Sequence, residues 1–150
     1  MPGDPYFHEL KGQMLFENGR IAEALPAYQK AVDLAPQEPL LQGELAAAEI
    51  ESNDPALLNR AIQHLQFALA REPRDSSSWR QLAIAYGRSN KMGESSRALA
   101  EEALLQGKLT DALGLAKRAQ AQLPKGSPDW IRAGDIIAAT EDARKEQRRR

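Results

Sequence analysis

The feature that most constrains this chain is a spacing that returns along it. Gly12, Gly19, Ala24, Tyr28, Ala31 and Pro36 stand in the order Gly-x6-Gly-x4-Ala-x3-Tyr-x2-Ala-x4-Pro. The second half of that string recurs as Ala61-x3-Leu65-x2-Ala68-x4-Pro73, preceded by Leu45-Ala46. Trp79-x2-Leu82-Ala83-x2-Tyr86 follows, then Gly107, Ala112, Ala116, Ala119 and Pro124, and finally Trp130-x2-Ala133-Gly134-x2-Ile137. Small residues at intervals of three and four put a narrow stripe on one face of a helix, where another helix approaches closely. A pattern of this kind that repeats along the chain describes stacked helical pairs, each burying its neighbour's face.

Composition agrees with helices. The 25 Ala and 19 Leu far outnumber the single Val, 7 Ile and 2 Thr, so strong helix formers dominate and β-branched residues are scarce. Asp4-Pro5, Asp54-Pro55 and Ser127-Pro128 each read as an N-cap with proline at the first helical position. Asn18-Gly19 and Gln106-Gly107 place glycine where a helix must reverse. These signals predict eight helices at about 5–18, 20–35, 39–52, 56–71, 76–88, 92–106, 108–123 and 127–143. Pro26 falls inside the second and removes one backbone donor, which predicts a slight kink near Ala22.

The string resembles the tetratricopeptide pattern, W-x2-L-G-x2-Y followed by A-x3-F/Y-x2-A-x4-P. His8 and Lys11 stand where that pattern has Trp and Leu, and Trp79 to Tyr86 is the fullest match to its first half. The expected fold is all-α, a tetratricopeptide-like solenoid of about eight helices in hairpins. Pro36 and Pro73 are 37 residues apart, three more than the repeat length, and the excess is expected in the Asn53-Asp54-Pro55 turn. Regularity is expected to fail after about residue 90. Only one helix lies between the first half at Leu82-Ala83 and the second half that begins near Leu109. It reads equally as the close of one pair, with Ser95 in the alanine place, and as the opening of the next, with Ala100 in the glycine place.

Charge narrows the partners. Lys and Arg total 20 against 21 Asp and Glu, a balance that disfavours nucleic acid as a partner. There is no Cys, hence no disulfide and no thiolate site. No run of residues approaches the length of a membrane-spanning helix, and MPGDPYFHEL is not a signal peptide. Residues 1–3 read as start residues ahead of a repeat domain over 4–140. The segment 141–150, EDARKEQRRR, reads as a basic tail, frayed or disordered.

Catalytic chemistry is missing from the motifs. His8-Glu9-Leu10-Lys11-Gly12 begins like the zinc motif H-E-x-x-H but has glycine at the second ligand position. His64 has no carboxylate partner evident in sequence. Neither G-x-S-x-G nor a phosphate-cradling G-x-x-x-x-G-K occurs. No enzyme activity, metal or cofactor is expected of this chain. The aromatic residues Tyr28, Trp79, Tyr86 and Trp130 occupy repeat positions that assign them to packing between helices.

Binding in such arrays falls to the concave groove formed by the first helix of each pair. Its candidates here are Glu9, Gln13, Phe16 and Glu17, then Glu44, Ala47 and Glu51, then Arg80, Gln81, Ile84 and Arg88. The first set is acidic and the last basic, an arrangement suited to orienting a protein or an extended peptide by charge. Repeats that clamp the C-terminal carboxylate of heat-shock chaperones need Lys, Asn and Arg in the groove. Glu9, Gln13, Glu44, Ser77 and Gln81 hold those places, which disfavours that partner class.

Particular stretches carry a closer resemblance. Asp4-Pro5-Tyr6-Phe7-His8-Glu9-Leu10-Lys11-Gly12-Gln13, Asn53-Asp54-Pro55 and Arg71-Glu72-Pro73 are similar to the C-terminal repeat domain of bacterial periplasmic zinc metalloproteases. Arg80-Gln81-Leu82-Ala83-x-Ala85-Tyr86-Gly87 and Leu123-Pro124-x-Gly126-Ser127-Pro128-x-Trp130 extend the likeness from about residue 4 to 135. The resemblance implies a protein-interaction module, a periplasmic location, and partners among its own protease domain and the outer-membrane β-barrel assembly proteins. The alternative is a free-standing repeat adaptor in envelope assembly or secretion, unrelated to proteolysis.

Overall fold

Every helix in the structure, a computed structural model that describes residues 3–150, begins or ends at punctuation visible in the sequence. Met1 and Pro2 of the expected start segment lie outside the described residues. The described residues form eight α-helices and no strand: α1 (Pro5–Glu17), α2 (Ile21–Leu34), α3 (Pro39–Glu51), α4 (Pro55–Arg71), α5 (Ser76–Arg88), α6 (Met92–Leu105), α7 (Leu109–Gln122) and α8 (Pro128–Arg149). They fall into two compact units, Met1–Pro73 with α1 to α4 and Arg74–Arg150 with α5 to α8.

In the first unit, Asp4 and Asp54 open α1 and α4. Each carboxylate accepts from the backbone N–H two residues on, Tyr6 at 2.9 Å and Ala56 at 3.0 Å, ahead of a proline that has no N–H to lose. The reversal from α1 to α2 turns on Gly19 at φ 74°, where the Arg20 N–H donates to Leu15 O at 2.8 Å. Asn53, at φ 57°, makes the equivalent turn between α3 and α4. Core packing joins Ala24, Tyr28, Ala31 and Val32 of α2 to Leu41, Leu45 and Ala48 of α3, each such large side chain stabilising by roughly 1.5–3 kcal/mol. Gly12 lets α1 lie against the Tyr28 ring, since a Cβ there would sit 2.8 Å from the ring carbons.

The three extra residues are not in the Asn53 turn. That turn is as short as the one at Gly19, and α4 absorbs the excess with 17 residues against 14 in α2. Asp54-Pro55 caps the helix at once and leaves the added turn nowhere else to go. α2 runs through Pro26 from Ile21 to Leu34.

The second unit contains the irregularity in concrete form. α5 is capped by Asp75, which accepts from the Ser77 and Ser78 N–H groups, and α8 by Ser127, which accepts from Trp130. α5 and α6 are joined by a turn on Asn90 at φ 61°, where the Lys91 N–H donates to Tyr86 O at 2.9 Å. α6 and α7 are joined by the same turn on Gly107 at φ 74°, where the Lys108 N–H donates to Ala103 O at 2.9 Å. Links carrying proline instead join α2 to α3 and α7 to α8. α6 is therefore flanked on both sides by the turn that elsewhere closes a hairpin. Its Ser95 Oγ donates to Ala83 O of α5 at 2.8 Å, while Ala100 packs with Ala116 of α7 and Ile136 of α8. One helix thus serves as second member of one pair and first member of the next. α8 runs on past residue 143 and carries the basic segment to Arg149.

Candidate functional site

In the first unit, Gln13, Phe16 and Glu17 of α1, Tyr28 of α2, and Glu44 and Ala47 of α3 line a cleft of about 360 Å³. Four-residue spacing along α1 and three-residue spacing along α3 bring these side chains to one face. Gln13 holds the centre: its Nε2 donates to Glu9 Oε1 at 3.0 Å and to Glu44 Oε1 at 3.3 Å, bridging α1 to α3. Glu44 Oε2 is buried without a hydrogen-bond partner. Burial, then the charge of Glu9, push the Glu44 carboxyl up to about 7, against the opposing donation from Gln13. The Tyr28 phenol is raised to about 12, by burial first and then by the charges of Glu44, Glu9 and Glu17. Among the described residues, none that lines this cleft is basic. Glu51, also a groove candidate, is exposed at the end of α3 and is not among the lining residues.

The remaining groove candidates stand on α5 in the second unit. Arg80, Ile84 and Arg88 recur every fourth residue on its exposed side, with Gln81 half-buried beside them. Arg80 Nε donates to Glu102 Oε2 of α6 at 2.7 Å. Arg80 lines a separate cleft of about 400 Å³ with Leu99 and Glu102 of α6 and Asp111, Leu115 and Arg118 of α7. Gln81, Ile84 and Arg88 do not line it. Spacing did not single out Glu102 or Arg118, because α6 carries two repeat roles at once and α7 is a second helix of its pair.

Of the packing aromatics, Tyr28, Trp79 and Tyr86 are buried and Trp130 is half-buried against Ala119, Leu123 and Ala133. The Arg97 guanidinium lies 4.8 Å from the centre of the Trp79 ring and also pairs with buried Glu101 at 2.9 Å. Arg132 of α8 donates to Glu101 through both Nε and Nη2, which lifts the Arg132 guanidinium further above its ordinary value. Sequence reading also missed the neighbours of His64: its Nδ1 lies 2.7 Å from Gln42 Oε1, and its Nε2 lies 3.5 Å from the carboxyl of Glu49. Glu49 was hidden because α3 and α4 bring together residues fifteen apart on faces that the repeat reserves for apolar side chains.

Among the described residues no group of three or more His, Cys, Asp or Glu is placed to hold a metal ion. Nor is any of their helices long and apolar enough to cross a membrane.

Comparison with known proteins bears on the repeat. A tetratricopeptide repeat family model matches residues 2–39. The β-barrel assembly-enhancing protease of Yersinia pestis is 31% identical over 149 residues, covering 99% of this chain. The chain spans 28% of the length of that relative. Among solved structures, the crystal structure of MamA superposes with a TM-score of 0.67 at 15% identity, over 99% of this chain and 83% of that one. The first tetratricopeptide domain of human RPAP3 gives 0.63 at 18% identity, over 95% and 98%. The first such domain of Spaghetti (RPAP3), solved with an HSP90 peptide, SRMEEVD, gives 0.51 at 18% identity, over 95% and 94%. At these identities the structures speak for the fold alone. Each unit is thus built of helical hairpins with a tetratricopeptide-like fold, and the chain is similar over 99% of its length to one part of the β-barrel assembly-enhancing protease.

Proposed function

We propose that this chain is the non-catalytic protein-interaction module of a periplasmic metalloprotease, and that the cleft between α1 and α3 receives an extended segment of a substrate or of an outer-membrane assembly partner. One observation carries the reading: an open cleft with an aromatic wall, Phe16 and Tyr28, and a carboxylate, Glu44, that has an oxygen with no partner. Tetratricopeptide repeats serve protein–protein interaction, and the name of the relative supports proteolysis and barrel assembly as the setting. With Glu9, Glu17 and Glu44 around the cleft, a segment bearing Lys or Arg is favoured over an acidic one. Such a cation would oppose the burial and the Glu9 charge that together raise the Glu44 carboxyl.

Glu44 is raised to about 7, so it is neutral below that value and charged above it. Capture of basic segments therefore strengthens as pH rises from 6 to 8. The test is a pull-down from periplasmic extract at both pH values, comparing wild type with Glu44→Lys, with thermal melting as a control on folding. The expected result is loss of partners in a variant that still melts as wild type does. An unchanged partner set removes the cleft from consideration.

A further inference from the structure

The cleft of about 400 Å³ in the second unit shares no lining residue with the α1–α3 cleft, so each can be tested without the other. α6 and α7 form its sides, and Arg80 of α5 adds to the lining. Leu99 and Ala103 of α6 and Leu115 of α7 make apolar walls. Gly114, in the interior of α7, is exposed among them.

Nothing inside the protein accounts for Gly114. A glycine in a helix interior destabilises it relative to alanine, because more backbone freedom is lost and no side chain is packed. Elsewhere in the helices close packing offsets that loss. A Cβ on Gly12 would sit 2.8 Å from the Tyr28 ring, on Gly93 2.8 Å from Leu123, and on Gly134 2.9 Å from Gln120. A Cβ on Gly114 would meet nothing within 4 Å, and its φ is not positive. Alanine would therefore fit there and would make the better helix. α7 instead leaves a patch of bare backbone open to the cleft. At Gly12 an aromatic ring of the same chain fills such a space, and at Gly114 the chain offers no counterpart.

The charges around Gly114 decide what can fill it. Arg80 Nε donates to Glu102 Oε2 at 2.7 Å, so these two answer each other. Asp111 stands in the first turn of α7, where the helix end favours a carboxylate. Lys108 and Arg118 are exposed, and among the described residues neither side chain has an ion-pair or hydrogen-bond partner. Even with Asp111 set against Lys108, the Arg118 guanidinium is left over. Arg118 follows Gly114 by one helical turn and so shares its face. The cleft thus joins an unfilled apolar floor to an unanswered, accessible cation. We infer that it receives an extended segment of a protein partner in which a bulky apolar side chain stands next to an acidic one. The apolar group lies against Gly114, Leu99 and Leu115, and the carboxylate meets Arg118.

The probe is an acetylated and amidated pentapeptide with phenylalanine at its centre, glutamate on either side and serine at the ends. It is titrated into the full chain and followed by amide NMR. The amides of Ala103, Gly114, Leu115 and Arg118 are expected to shift. Read from those amides, the peptide should bind about fivefold or more tightly than its counterpart with lysine for glutamate. Alanine in place of phenylalanine should weaken it by at least as much. Gly114→Leu fills the cleft from its floor, so the variant should melt no lower than wild type and yet lose the peptide. Arg118→Gln should remove the preference for glutamate and keep that for phenylalanine. Equal binding of the acidic and basic peptides overturns the inference, as do shifts confined to other helices. A folded Gly114→Leu chain that binds as wild type does overturns it equally. If leucine disturbs α7, Gly114→Ala replaces it, expected to melt higher than wild type and to bind the peptide more weakly, and unweakened binding counts against the inference in the same way.

Discussion

Gly12 and Glu49 show the two kinds of information a single residue carries here. Gly12 was legible in the sequence because its role is steric and its spacing from Tyr28 recurs: the ring occupies the space a Cβ would need. The buried alanines, Ala24, Ala31, Ala46, Ala61, Ala68, Ala112 and Ala119, were legible for the same reason. Glu49 was not. Between Ala48 and Ile50 it reads as the polar side of α3, and only the approach of α4 with Arg60 and His64 buries it. Burial, opposed by Arg60, raises its carboxyl from 4.5 to about 7. The folded state therefore holds the Glu49 proton more tightly than the unfolded chain does. That contribution to stability is present at acid pH and is lost as pH rises from about 4.5 through about 7. His64, with its value lowered, acts in the opposite sense and costs stability as pH falls below its ordinary 6.5. Glu49→Gln removes the first effect alone. Denaturant unfolding at pH 5 and pH 8 should show the variant gaining on wild type by roughly 2–3 kcal/mol between the two, as an upper bound. A difference that does not change with pH would mean Glu49 is ionised without penalty.

At the scale of elements, starts were easier to read than lengths. Asp4, Asp54 and Ser127 announced α1, α4 and α8 because a cap and a following proline are local chemistry. The length of α4 depends instead on what its added turn packs against, which no local signal records. The double role of α6 was legible as an ambiguity of pattern and is resolved by its two turns. A further parallel supports it. Gln13, one residue after Gly12, reaches Glu44, two residues before Ala46. Glu101, one residue after Ala100, reaches Arg132, two residues before Gly134. α6 and α8 thus repeat the relation of α1 and α3, with an ion pair in place of the amide bridge. The Gly107 turn makes this possible, and its φ of 74° is a conformation that L side chains resist. Gly107→Ala should cost about 1 kcal/mol, or roughly 4–8 °C in the melting of the second unit, whereas Asn90→Gly should be close to neutral. Equal melting of Gly107→Ala and wild type would show that α6 does not depend on its second hairpin turn.

The whole molecule separates by charge as well as by packing. Residues 1–73 carry five basic and eleven acidic side chains, a net charge of −6, while residues 74–150 carry fifteen basic and ten acidic, a net charge of +5. The near-neutral total of −1 conceals this, and so the overall balance was a poor guide to partners. The groove candidates divide along the same line, acidic side chains with the first unit and the α5 arginines with the second. Each unit also has its own buried core, with Tyr28, Leu41 and Leu45 in one and Ala100, Ala116 and Ile136 in the other. Four helices with a private core are enough to fold, though at this size only with modest stability. Fragments 1–73 and 74–150 should each show helical circular dichroism and a cooperative melt. The acidic fragment should gain more from added salt at pH 8 than at pH 6, because Glu44 and Glu49 are then charged and salt screens the repulsion. Two fragments that are both unfolded at every salt concentration would show that the cores stabilise one another. A cooperative melt in each, with binding of basic peptides confined to the acidic one, would make the charge division a division of labour.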